Sequence, residues 1–235
     1  HTLSTARADI FDRAALAAAI AGCDAVVNLV TSIPKPGGRG NWPMNDRVRR
    51  EGTANVIAAC RTARVPMLVQ QSVAMLHCVA DDRPQVETDP RGTYRALESA
   101  LDMEDAVLAA RDLDARLVRG GLFYGAGTSR EELIAAELRD PAFRLPGDGH
   151  AWMSMVHVAD YASALLAVIE RGAPHTPYIA CEDAPLQLQA IYRRIATRIG
   201  VPLPPAGGPE RMRSFRTSNA ALRALGWSPA HAFPD

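Results

Sequence analysis

Short apolar runs alternate with helical patterns along this chain, and that alternation restricts it to one class of fold. The runs "DAVVNLV" (24–30), "PMLVQQS" (66–72), "ARLVRGGLFYG" (115–125) and "MSMVHV" (153–158) have the length and composition of strands. Between them, 45–64, 94–111 and 161–171 repeat apolar residues every three or four positions, the period of a helix with one buried face. Parallel neighbours in a sheet need a long crossover, usually a helix, so the alternation predicts an α/β fold with a parallel sheet. A run as apolar as 24–30 suits a strand buried on both faces.

Local signals refine the helices. Val48, Gly52, Val56, Ala59 and Cys60 share a stripe of 45–64, Asn45 or Asp46 can cap its start, and Pro66 lies past its end. Leu97, Ala100, Leu101, Glu104, Val107 and Leu108 share a face of 94–111, and Asp160 can cap 161–171. Later come "TPYIAC", a helix at 187–199, a loop dense in proline and glycine at 201–209, and "TSNAALRALGW".

Composition excludes several partners. The 26 Lys and Arg balance the 26 Asp and Glu, so nothing draws the chain to nucleic acid or an anionic membrane surface. The four cysteines are scattered without C-x-x-C or metal-ligand spacing, and read as small buried residues of a reduced compartment. No metal is expected. No apolar run approaches the ~18 residues of a membrane span, and no signal segment opens the chain. A cytoplasmic protein is the expectation.

The motifs, in order, resemble those of the NAD-dependent epimerase/dehydratase family, the extended short-chain dehydrogenase/reductases. "ADIFD" is similar to the family's third strand, which implies that Asp9 lies by the adenine ring with Ile10 packed beside it. "VVNLVTS" resembles the fourth strand, whose end passes the cofactor ribose; that assigns Asn28, Leu29 and Val30 to the cofactor. "REGTANVIAAC" resembles the helix signature N-x-x-G-T-x-N, with Arg49 where the family often has Asn. "LVQQSVAM" resembles the fifth strand and makes Ser72 the hydroxyl beside the reacting carbon. "RGGLFYGAG", "MVHVADYASALL" and "SNAALRALGWSP" are similar to R-x-x-N-V-Y-G-P-G, V-H-V-x-D-x-A-x-A and the closing S-x-x-K-x-x-x-L-G-W-x-P. The resemblance implies a Rossmann-like doubly wound sheet, NAD or NADP as cofactor, and a homodimer through 45–64 and 94–111. It divides the chain into a dinucleotide-binding domain (1–150) and a region (151–235) holding the last Rossmann elements and a small substrate-side subdomain.

The family's chemistry uses a Y-x-x-x-K pair, in which the lysine holds the ribose and lowers the tyrosine's pKa. The local segment here is "TYRALESALDMEDAV". Anchored on Tyr94, it puts Glu98 at the lysine position; anchored on Glu104, it puts Ala96 and Ala100 at the pair. Neither register supplies a lysine, and Lys35, the only lysine in the chain, reads as a solvated loop residue. Tyr94 is the local candidate for proton transfer. His157 and Arg119 read as structural, and "GGRG" (37–40) as a flexible loop without the G-K-[ST] of a phosphate cradle.

Two substrate-side positions also depart from the family. Leu122 stands where sugar-nucleotide enzymes have a substrate-contacting Asn, and Met153 where an Arg commonly pairs with the diphosphate. Neither side chain can neutralise a diphosphate. The leading expectation is an atypical NAD(P)-dependent oxidoreductase acting on a small or apolar carbonyl or hydroxyl compound. The alternatives are a non-catalytic dinucleotide-binding regulatory protein and a nucleotide-sugar epimerase or dehydratase. The family's first β-α-β unit, with its glycine-rich turn, has no counterpart ahead of "ADIFD". In a sheet ordered 3-2-1-4-5-6 this predicts either about 50 upstream residues or an unpaired first segment at 6–11.

Overall fold

The computed structural model describes residues 4–34, 41–78, 83–92 and 95–234. Among them the chain runs through α1 (Arg13–Ile20), β1 (Ala25–Asn28), α2 (Trp42–Arg47), α3 (Thr53–Ala63), β2 (Met67–Val73), α4 (Glu98–Ala109) and β3 (Asp114–Gly120). It continues through β4 (Leu122–Tyr124), α5 (Arg130–Arg139), β5 (Leu145–Pro146), β6 (Trp152–Met153), β7 (Met155–His157) and α6 (Val158–Arg171). The last elements are β8 (Pro177–Ala180), β9 (Leu186–Gln187), α7 (Leu188–Ile199), β10 (Ala206–Gly208) and α8 (Ala220–Ala224). The main sheet has the order β1-β2-β3-β8. β1 and β2 are parallel, with Ala25 opposite Met67 and Asn28 opposite Gln70, so the strand-helix-strand alternation does yield a parallel α/β sheet.

The chain gathers into two compact units. The first comprises His1–Ser72, Thr93–Val118 and Val168–Pro177; the second comprises Val73–Gly92, Arg119–Ala167 and Tyr178–Asp235. Residue 150, the boundary drawn from the motifs, falls inside the second unit.

In the first unit, the apolar stripe of α3 meets the sheet and α4. Val56, Ile57, Cys60, Leu68, Val107 and Leu117 belong to one buried cluster, with Leu16 and Ile20 of α1 packed against it. The stretch expected as one helix over 45–64 is three segments. α2 starts at Trp42, capped by Asn41, whose side chain accepts from the Met44 N–H. A π-turn follows at Val48–Gly52, then α3. Asn45, expected as a cap, is buried inside α2. Arg64, in the left-handed conformation, closes α3.

Residues 6–11 form no strand. The segment turns back on itself instead, with the Asp12 N–H donating to the Asp9 carbonyl and the Phe11 N–H to Asp9 Oδ1. An apolar cavity of about 190 Å³ lies between Ala8, Ile10 and Leu16 on one side and Val26, Val27 and Val30 on the other.

In the second unit, β4 and β7 pair in parallel, with Leu122 opposite Met155 and Tyr124 opposite His157, while β6 and β9 are antiparallel. α6 begins at Val158, two residues before Asp160, and the His157 ring Nδ1 accepts from the Ala159 N–H in place of an Asp160 cap. Asp160 is bound instead to His231, through the ring Nδ1 at 2.8 Å and the backbone N–H at 3.0 Å. Cys60, Cys78 and Cys181 are buried as expected, but Cys23 is exposed.

Candidate functional site

The carboxyl ends of β1 and β2 in the first unit are polar although the strands leading to them are apolar. Asn28, at the last position of β1, is buried and donates from Nδ2 to Gln70 Oε1 at 2.8 Å across the strand pair. Its Oδ1 accepts from the Val30 N–H, so the chain turns immediately after the strand. Leu29 and Val30 are left exposed, at 48% and 49% of their surfaces. β1 is only half-buried from Ala25 to Val27, where burial on both faces was expected, and large apolar side chains half in solvent at its end offer a binding surface, at the end of a parallel strand where ligands of open α/β sheets sit. The loop beyond is fixed by Ser32, whose N–H donates to Asn45 Oδ1.

Ser72 lies near the end of β2, 2% exposed, and its Oγ has no hydrogen-bond partner. Leaving a buried hydroxyl unmet costs free energy, and such a group marks a place where a ligand atom can complete the bonding. Asn45 Nδ2 is a second buried donor without a partner.

Beside these, the π-turn carries Arg49, only 5% exposed. Its Nη1 donates to the Ala96 carbonyl at 3.2 Å and to Ser99 Oγ at 3.3 Å. The Ser99 hydroxyl in turn donates to Asp46 Oδ1 at 2.6 Å. The neighbouring Arg50 pairs with Asp102 on α4. π-turns inside helices occur frequently at functional sites.

The structure thus places Asn28, Leu29, Val30 and Ser72 at the ends of two adjacent parallel strands. Ile10 lines the apolar cavity with Asn28 and Val30, and its side chain lies where a Cβ on Gly52 would come within 2.9 Å of Ile10 Cδ1. Asp9 is exposed. Tyr94, Lys35 and the 37–40 loop lie outside the described residues. Leu122 and Met153 are buried in the second unit: the Leu122 N–H donates to the Ser154 carbonyl, and Met153 pairs with Leu186. Asn45 and Arg49 were not assigned a role in the site from sequence; the one signal was Arg49 standing in place of an Asn.

The second unit holds further buried ionisable groups. Arg119 donates to the Glu87 carbonyl, and its Nη1 lies 3.0 Å from His77 Nε2. Burial raises the Glu87 carboxyl above its ordinary range. Burial likewise raises Glu182, partly opposed by nearby donors, and burial together with Glu182 drives the Tyr124 phenol far up. Among the described residues no cluster of three or more His, Cys, Asp or Glu could hold a metal ion. No helix there is long and apolar enough to cross a membrane.

Comparison with known proteins follows the same lines. The model of the NAD dependent epimerase/dehydratase family matches residues 1–180. A 3-diazoavenalumate denitrifying reductase of a Streptomyces species is 27% identical over 95% of this chain and 82% of its own length. A 2-alkyl-3-oxoalkanoate reductase of Stenotrophomonas maltophilia is 29% identical over 83% of this chain and 63% of its own length. Among solved structures, the dTDP-glucose 4,6-dehydratase DesIV of Streptomyces venezuelae, determined with NAD, superposes with a TM-score of 0.84 at 20% identity, covering 96% of this chain and 74% of that one. RMD of Pseudomonas aeruginosa, complexed with NADPH, gives 0.78 at 20% identity over 97% and 84%. These structural likenesses establish the fold; with the family model covering most of its length, the chain belongs to the NAD-dependent epimerase/dehydratase family.

Proposed function

We propose that this chain is an NAD(P)-dependent oxidoreductase acting on a small or apolar carbonyl or hydroxyl compound. The observation that carries the reading is the buried, unpartnered Ser72 hydroxyl beside the exposed end of β1. The residues present fit a dinucleotide: Leu29 and Val30 offer apolar surface, the Asn28–Gln70 pair fixes the strand ends beneath it, and the cavity beside Ile10 has apolar walls suited to a flat heterocycle. When bound, the cofactor supplies or accepts a hydride at the substrate carbon, and the carbonyl oxygen gains or loses one proton in balance.

Ser72 Oγ–H would donate to the substrate oxygen, orienting it and stabilising the charge that develops there as the carbonyl π pair moves onto oxygen. Tyr94 would supply the proton. The two relatives are both named as reductases, and neither name is that of a nucleotide sugar. The burial of Leu122 and Met153 agrees with a substrate lacking a diphosphate.

A second reading, a dinucleotide-binding regulatory protein without turnover, draws support from the lysine missing between 94 and 104. Fluorescence titration with NADH and with NADPH is the first test, and binding of neither refutes both readings. Cofactor consumption with apolar ketones then separates them. A Tyr94→Phe variant that turns over as fast as the parent would remove Tyr94 from the mechanism.

A further inference from the structure

The second unit carries a segment held in place by groups that titrate. Residues 228–234 form no helix or strand, so individual contacts fix them. His231 donates its backbone N–H to Asp160 Oδ2 at 3.0 Å, and its ring Nδ1 lies 2.8 Å from Asp160 Oδ1. Arg194 Nη1 donates to the Phe233 carbonyl at 2.7 Å. The Phe233 ring is buried edge-on against Tyr124, with centroids 5.1 Å apart. Beside the Asp160 bonds, the His231 ring stacks on the His157 ring, with centroids 3.9 Å apart and planes 20° from parallel. His157 has little room to turn aside: it lies in β7 opposite Tyr124, and a Cβ on Gly125 would come within 2.3 Å of its Nε2.

The two stacked rings share one carboxylate. A single imidazolium against Asp160 makes a charge-assisted bond. A second places like charges 3.9 Å apart, where they repel, and Asp160 cannot neutralise both. A proton on His157 Nδ1 would also remove the bond from the Ala159 N–H, at the start of α6 where a cation is disfavoured. We propose that residues 228–234 form a proton-operated clasp, closed over Tyr124 by the Asp160–His231 bonds and released when His157 and His231 are both protonated. The other charges around the clasp leave this balance in place. Glu182, just after β8, is raised by burial, with Asp160 adding to the rise and Arg194 on α7 opposing it. Burial opposes ionisation of Asp160 too, yet the His231 bonds hold it below its ordinary range. As pH falls, Glu182 therefore loses its charge before Asp160 does, which leaves one carboxylate facing two rings. Tyr124 on β4, near Glu131 of α5, stays a neutral phenol because burial and Glu182 drive it far up. Release uncovers Tyr124 Oη and Glu182 Oε1, both buried without a hydrogen-bond partner.

The test is hydrogen exchange of the full chain, read by mass spectrometry on peptides covering 228–234 from about pH 8 to about pH 5 and corrected for intrinsic exchange. If release takes up one proton, protection of this segment should fall by up to about tenfold per pH unit while the rest of the second unit keeps its own. His157→Asn keeps an acceptor for the Ala159 N–H and loses the second ring, so the fall with pH should vanish. His231→Gln keeps a donor toward Asp160 and should be equally flat. Asp160→Asn removes the carboxylate, and protection at the alkaline end should drop about tenfold or more. Flat protection in the parent overturns the proposal, as does an undiminished fall in His157→Asn, or a fall shared by the whole unit, which would be global unfolding. An unchanged value in Asp160→Asn overturns the closing bonds. Should His157→Asn fail to fold, His231→Gln decides: a flat profile supports the clasp and the parent's slope overturns it. The measurement uses neither cofactor nor substrate, so it stands apart from the oxidoreductase reading.

Discussion

Replacing Ser72 with alanine separates stability from function in opposite directions. The Ser72 Oγ is buried at the end of β2 with no partner, so folding strips its water and returns no bond. An unsatisfied buried polar group costs about 1–3 kcal/mol. Ser72→Ala removes that cost and retains Cβ, so the only loss is one small atom's packing and a few tenths of a kcal/mol of strand preference, on a scale spanning ~1 kcal/mol. The net expectation is stabilisation by about 1 kcal/mol, seen as a rise of ~2–4 °C in Tm for a chain of this size.

Turnover should fall in the same variant by about 10²–10³, the usual loss when one donor to a developing oxyanion is deleted. Ser72→Thr keeps the hydroxyl and should retain more activity than alanine. Differential scanning calorimetry reads the first effect and cofactor oxidation with a ketone substrate reads the second. Destabilisation by more than ~1 kcal/mol would show that the hydroxyl is already used by the fold. Unchanged turnover would refute its role with substrate.

Glycines give a graded series, measured by denaturant unfolding. A Cβ on Gly121 would come within 2.5 Å of the Ser154 carbonyl oxygen, a backbone atom just before β7 that accepts from the Leu122 N–H, so Gly121→Ala should cost at least ~2 kcal/mol. Gly125, at φ +95°, would drive a Cβ to 2.3 Å from the His157 ring, and Gly125→Ala should be at least as severe. Gly52→Ala meets only the flexible tip of Ile10 and gains helix preference, so it should be the mildest of the three; a reversed order would refute the packing argument. Two carboxylates should show opposite pH behaviour. Burial opposes ionisation of Asp160, yet the hydrogen bonds from His231 hold it below its ordinary value, so its contribution is present above the normal Asp range and lost as pH falls through the lowered value. Glu182, raised by burial, costs stability as pH climbs from the ordinary Glu value through the raised one, so Glu182→Gln should stabilise the protein at neutral pH and Asp160→Asn destabilise it by about 2 kcal/mol. Melting temperatures across pH check both signs, and a stabilised Asp160→Asn would show that the His231 bonds do not offset its burial.

Periodicity made the parallel α/β sheet legible because it reports which face of each element is buried, and β2, α4 and α7 fall within a few residues of the sequence expectation. Misreadings came from polar residues whose partners are remote. Asn45 and Asp160 each precede an apolar stripe and resemble caps, but Asn45 holds Ser32 and Asp160 holds His231, 71 residues away. The real cap of α2, Asn41, is followed by Pro43 in the first turn, a signal that was available locally. Residues 6–11 have strand-like content but turn back through Asp9, whose carbonyl and Oδ1 accept from the Asp12 and Phe11 N–H groups. Arg49 was visible only as a departure from a motif, because its contacts with Ala96 and Ser99 span 47 and 50 residues.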